Sequence, residues 1–138
     1  MTEEQRKQLG IPDLETCQAL VKAGWKKETY FVWVITSDWN DGKVLKEEVL
    51  PRNVNPGFDY SPFRYTSIPA MTLSEILEEL PRYIQYQDHV WDLICFEGEW
   101  SYFHSTYSVA SGSRGMDFVF EYDEPSTLYL KLKEEKLV

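Results

Sequence analysis

Residues Trp91 to Tyr107 read WDLICFEGEWSYFHSTY, and two tryptophans, a cysteine, a histidine and three acids share these seventeen positions. Whether they form a reactive site or a sheet element decides how the whole chain is read. Val90 to Phe96 and Trp100 to Tyr107 are dense in apolar and aromatic side chains and flank Glu97-Gly98-Glu99, which is the pattern of a β-hairpin. Three registers are open. A two-residue loop at Glu97-Gly98 sets Cys95 opposite Trp100 and Trp91 opposite His104, leaving Cys95 and His104 on one face but out of reach. A two-residue loop at Gly98-Glu99 pairs Cys95 with Tyr102 and Leu93 with His104, one diagonal apart. A three-residue loop puts the cysteine and histidine on opposite faces and sets Asp92 opposite His104. A nucleophilic cysteine needs its base in contact, so a buried structural cysteine in a hairpin is the expected reading.

Working outward, the segments on either side have their own local signals. Thr72-Leu73-Ser74-Glu75 has capping-box spacing, with Met71 and Ile76 placed for a hydrophobic staple. Leu73, Ile76, Leu77 and Leu80 then line one helical face until Pro81 stops it. Thr2-Glu3-Glu4-Gln5 repeats the box for a first short helix ending at Gly10. A second helix starts at Pro12-Asp13 and ends at Gly24. Thr29 to Thr36 is apolar on both faces and reads as a central strand. Lys43 to Leu50 returns after the Asn40-Asp41-Gly42 turn, and Asp117 to Tyr122 supplies a further strand. Between Ser126 and Leu132 the leucines alternate as in a strand, yet Asp123, Glu124 and Pro125 in front and lysines behind suit a helix, which is the favoured reading.

Pro51 to Pro69 contains four prolines and four aromatics, Phe58, Tyr60, Phe63 and Tyr65, and reads as a packed irregular segment. The expected architecture is a single α+β domain over 1–138. It would have a mainly antiparallel sheet of about four to five strands, with two to four short helices packed on it.

Composition removes several function classes. Two cysteines without C-x-x-C spacing argue against zinc. The longest apolar run, Tyr30 to Ile35, is too short to span a bilayer. With no signal peptide recognised, a cytoplasmic protein with buried reduced thiols is expected. Residues 71–124 hold eleven acids and two bases, while the remainder balances at twelve against twelve, so the net charge of −9 lies entirely in that stretch. Phosphate-directed nucleic-acid binding needs clustered lysine and arginine, which this half lacks. A basic protein is the complementary partner.

Other chemistry fails on spacing. Glu97 and Glu99 flank a solvated turn, whereas glycosidase work requires a desolvated carboxyl. An EF-hand register through Gly42 places Trp39 at a ligand position. Gly112-Ser113-Arg114-Gly115 lacks the lysine of a phosphate loop. No catalytic residue, cofactor or metal site is therefore expected.

Ala19-Leu20-Val21-Lys22-Ala23-Gly24-Trp25 running into Thr29-Tyr30-Phe31-Val32-Trp33, the proline-led helix Pro69 to Pro81, and the ending Glu134-Glu135-Lys136-Leu137-Val138 carry a resemblance. The chain resembles a group of small proteins encoded by phages and by bacterial genomes with phage-like or mobile elements, Bacteroides relatives among them. The resemblance brings no catalytic residue with it and implies a phage-related accessory protein. The expected function is a non-enzymatic protein-interaction module, its surface formed by Phe58, Tyr60, Phe63, Tyr65, Glu75, Glu78, Glu79, Glu97 and Glu99. One alternative is an acidic inhibitor or immunity-type protein for a basic partner. Another is a small-ligand binder or enzyme with a pocket between the sheet and the 51–69 segment.

Overall fold

The computed structural model describes residues 1–53, 63–108 and 112–138. Among them the fold is α+β, with four helices and seven strands arranged in two antiparallel sheets. The strands divide between two sheets, where one sheet of four or five strands was expected. The chain partitions into two compact units, Met1–Glu75 and Ile76–Val138. No helix among the described residues is long and apolar enough to cross a membrane.

In the first unit, α1 (Glu3–Gln8) carries the full Thr2/Gln5 capping box. Ile11 N–H to Arg6 O (3.1 Å) and Gly10 N–H to Lys7 O (3.0 Å) close it in a Schellman turn. Gly10 sits at φ +66°, and a Cβ there would lie 2.5 Å from the Leu73 Cβ, so both conformation and space demand glycine. The Leu73 N–H donates to Leu9 O at 3.0 Å at the same crossing. Asp13 caps α2 (Leu14–Lys22) by accepting from the Thr16 N–H at 2.8 Å, and the Thr16 hydroxyl together with this N–H holds its carboxyl below the usual carboxylate range.

The unit's sheet runs β2-β1-β3, from β1 (Phe31–Asp38), β2 (Val44–Pro51) and β3 (Phe63–Ala70). As expected, β1 is central. β3 lies within the segment read as irregular. Its Pro69 pairs with Val32 on an edge strand, where the missing N–H is tolerated. Trp33 and Val49 face one another on one side of the sheet. Arg6 lies 5.6 Å from the Trp33 ring, and Cys17 is influenced by the Trp33 indole and the Met71 backbone, so this side belongs to the helices. Ile11, Cys17, Leu20, Trp25, Ala70 and Met71 complete the core.

The helix α3 (Leu73–Glu79) begins with the expected box. Glu75 Oε1 accepts from the Thr72 N–H and hydroxyl, both at 2.9 Å, while its Oε2 accepts from the Tyr30 N–H at 3.2 Å.

In the second unit, β4 (Tyr83–Tyr86), β5 (His89–Phe96), β6 (Glu99–Ser108) and β7 (Ser113–Tyr122) form an antiparallel sheet in chain order. α4 (Pro125–Glu134) packs on β6 and β7, settling the final segment as helix. The buried side chains of this unit include Ile76, Leu80, Ile84, Trp91, Tyr102, Leu128, Tyr129 and Leu132. Tyr102 is fully buried, its hydroxyl donating to Pro81 O at 2.6 Å, and burial pushes the phenol pKa up.

Candidate functional site

The hairpin from Trp91 adopts the Glu97-Gly98 register, since Phe96 pairs with Glu99 and Cys95 with Trp100. Glu97 (φ +52°) and Gly98 (φ +79°) are both left-handed, as a two-residue type I′ turn requires. Cys95 and His104 therefore do not meet, and Asp92 pairs with Phe103 rather than His104. Cys95 is exposed, which corrects its reading as a buried thiol: one residue from the turn-closing pair, it lies where the sheet has little left to cover it. Cys17 is buried as expected, and desolvation raises its thiol pKa above the usual value.

The turn and β7 together build an acid–aromatic cleft. Between Val119, opposite Tyr102, and Tyr122, opposite Trp100, β7 carries one extra residue in a bulge. Phe120 takes φ +56° there, a conformation bulky residues rarely adopt, and its ring packs 4.9 Å from Tyr86. Glu121, beside it, lines a cleft of about 270 Å³ with Phe96, Glu97, Glu99, Ser101 and Phe118. The Phe96 and Phe118 rings lie 6.3 Å apart and nearly parallel (19°), and Phe103 supports Phe118 at 6.5 Å. Phe96 is 56% exposed, so much of its ring remains open to a further contact.

Glu97, Glu99 and Glu121 are all exposed, and among the described residues none has an ion-pair partner. Carboxylates accept hydrogen bonds and do not donate them, and an aromatic face attracts cations. The chemistry offered is thus recognition of an ammonium or guanidinium group.

The expected interaction residues do not converge. Phe58 and Tyr60 lie outside the described residues. Phe63 and Tyr65 share one face of β3, half-buried. Glu75 is buried with both oxygens engaged and adds nothing to an exposed surface. Glu78 is exposed and Glu79 half-buried on α3. Glu97 and Glu99 alone join the cleft. Phe96, Ser101, Phe118 and Glu121 were missed. Phe96 was legible once the turn was set, whereas Glu121 depends on a bulge that no local motif announces.

A second grouping was missed as well. His89 stacks on His104 at 4.4 Å and 24°, with Trp91 5.4 Å from His104, while Asp117 pairs with His104 across β6 and β7. Among the described residues, no set of three or more histidine, cysteine or acidic side chains is placed to hold a metal ion. Compared with known proteins, the chain matches no family model, no curated protein and no solved structure.

Proposed function

We propose that this chain is a non-enzymatic accessory protein of phage-like origin that binds a basic protein segment at the acid–aromatic cleft of β5, β6 and β7. One observation carries the reading: three carboxylates with no cationic partner among the described residues border two exposed or half-buried phenylalanines. A lysine or arginine side chain satisfies both, its charge against the glutamates and its stem or guanidinium against the rings. The inhibitor or immunity-type role is the narrower form of the same reading, in which the basic partner is neutralised by charge complementarity. Two free cysteines, one of them exposed, support a reducing cytoplasmic setting.

The test is titration with a hexa-arginine peptide, followed by calorimetry at low salt and at about 0.5 M salt, where screening lengths shrink to a few ångströms. Binding should weaken at least about tenfold with salt, and again in the triple variant Glu97→Gln, Glu99→Gln, Glu121→Gln. Salt-insensitive binding, or equal affinity in the triple variant, overturns the reading.

A second reading, a pocket for a small ligand, is favoured by one separate observation. Val32 and Val34 of β1 and Ser67 and Pro69 of β3 line a cleft of about 570 Å³ in the first unit.

A further inference from the structure

β1 is apolar on both faces, and the helices of its unit account for only one. The other face presents Val32 and Val34 from β1 beside Pro69, Ser67 and Tyr65 of β3, as the pairings Val32–Pro69 and Val34–Ser67 place them. These residues floor a cleft of about 570 Å³, within the range of small-molecule sites. Its rim is cationic: Lys26, Lys27 and Arg52 stand there against a single acid, Glu28. In a chain of net charge −9, such a convergence is opposite in sign to the protein around it.

The rim is held before any ligand arrives. Trp25 Nε1 donates to Lys27 O at 2.9 Å, the Thr29 hydroxyl donates to Phe31 O at 2.6 Å, and the Arg52 N–H donates to Tyr30 O at 3.0 Å. Arg52 also pairs with Glu28 at 2.8 Å, which fixes its guanidinium and leaves further N–H groups to donate. Lys26 has no ion-pair partner among the described residues. An apolar floor beneath a preorganised cationic rim calls for one kind of occupant.

We infer that this cleft is a binding site for a small soluble amphipathic anion, a carboxylate, sulfonate or phosphate on a flat apolar body. The apolar body lies on Val32, Val34 and Pro69, and the anionic head meets Lys26 and Arg52 at the rim. Desolvation by the floor strengthens each charge-assisted contact at its edge.

The probe is 8-anilinonaphthalene-1-sulfonate, compared with its neutral analogue N-phenyl-1-naphthylamine, on the intact chain. The sulfonate should bind saturably at one site, at least about tenfold more tightly than the neutral analogue. Lys26→Glu should weaken it about tenfold with little effect on the analogue, and Ser67→Trp, which fills the cleft with a strand-compatible side chain, should abolish both. Methyl NMR shifts should localise the sulfonate to Val32 and Val34. If Ser67→Trp fails to fold, Lys26→Glu and Lys27→Glu with the methyl shifts decide alone. Unsaturable binding, equal affinity for the neutral analogue, or methyl shifts elsewhere overturn the inference. Co-sedimentation with phosphatidylglycerol vesicles separates a free anion from a lipid headgroup: the protein should stay in the supernatant, and pelleting overturns the soluble-ligand assignment. The triple glutamine variant of the acid–aromatic cleft should bind the sulfonate as the parent does, so failure of either site is read independently.

Discussion

The two units solve the problem of surface charge in opposite ways. Met1–Glu75 carries eleven acids and nine bases and pairs many of them internally: Glu3 with Arg6 and Lys7, Glu48 with Lys46, Glu28 with Arg52. Ile76–Val138 carries twelve acids and five bases, and its ion pairs include those of Lys131 with Glu134 and Glu135 at the end of α4. Among the described residues, the turn and strand acids Glu97, Glu99 and Glu121 are left without an ion pair. Surface ion pairs contribute little stability, so the difference matters less for folding than for what each unit offers a partner. One unit leaves a local cationic rim over an apolar floor, and the other an anionic rim beside aromatic rings.

The largest expected contrast between the units is a rate. Thiol labelling with a maleimide should modify exposed Cys95 at the speed of a free thiol. Buried Cys17 should react more than about a thousandfold more slowly, because it must wait for unfolding and its pKa is raised by burial. Mass spectrometry of the singly labelled protein checks this, and early modification of Cys17 would contradict the buried core of the first unit.

Gly10→Ala should cost roughly 2–5 kcal/mol in chemical denaturation, combining left-handed strain with overlap at Leu73. Adding Leu73→Gly removes the atom struck and should recover part of that loss, an interaction a double-mutant cycle resolves.

In the second unit, Tyr102→Phe leaves Pro81 O without its buried donor and should cost about 1–3 kcal/mol. The pH dependence has a definite sign. The folded phenol ionises at higher pH than the unfolded one, so above the ordinary tyrosine value near 10 the unfolded chain has lost a proton the folded chain keeps. Stability falls as pH rises through that range. The phenylalanine variant should show a shallower alkaline decline, measured by denaturation at several pH values.

Glu75→Ala should cost roughly 1–3 kcal/mol, since it strips acceptors from the Thr72 and Tyr30 N–H groups. Exposed Glu99→Ala should change stability by less than about 0.5 kcal/mol. Equal effects would erase the distinction between a structural and a displayed carboxylate.

The smallest effect is the most telling for function. Glu97→Asn relieves a glutamate from φ +52° and should stabilise the hairpin by a few tenths to about 1 kcal/mol, while weakening hexa-arginine binding. A gain in stability without a loss of binding would remove Glu97 from the site.

These contrasts were unevenly legible. The boxes at Thr2 and Thr72, the Asp13 cap and the glycines closing α1 and α2 were readable because donor and acceptor lie within five positions of each other. β3 was hidden by the prolines around it, although Pro69 fits an edge strand. β4 was hidden because Gln87 and Asp88, at φ +50° and +65°, make a tight turn without the usual Asn-Gly signal. Two of the six residues lining the acid–aromatic cleft, Glu97 and Glu99, were visible as charge, while Phe118 and Glu121 had no local marker.

By itself the amino-acid order determined the α+β class, the helix ends, the central place of β1 and the uneven distribution of charge, all of which follow from short-range bonding and side-chain periodicity. Only the tertiary structure decided that the strands split into two sheets, that the hairpin turns at Glu97-Gly98, and that Cys95 and His104 stay apart. It also decided that the β7 bulge carries Glu121 to the phenylalanines and that the second apolar face of β1 is a cleft. Those outcomes rest on pairings between residues far apart in the chain, where a one-residue shift exchanges the two faces of a strand and no local preference selects between them.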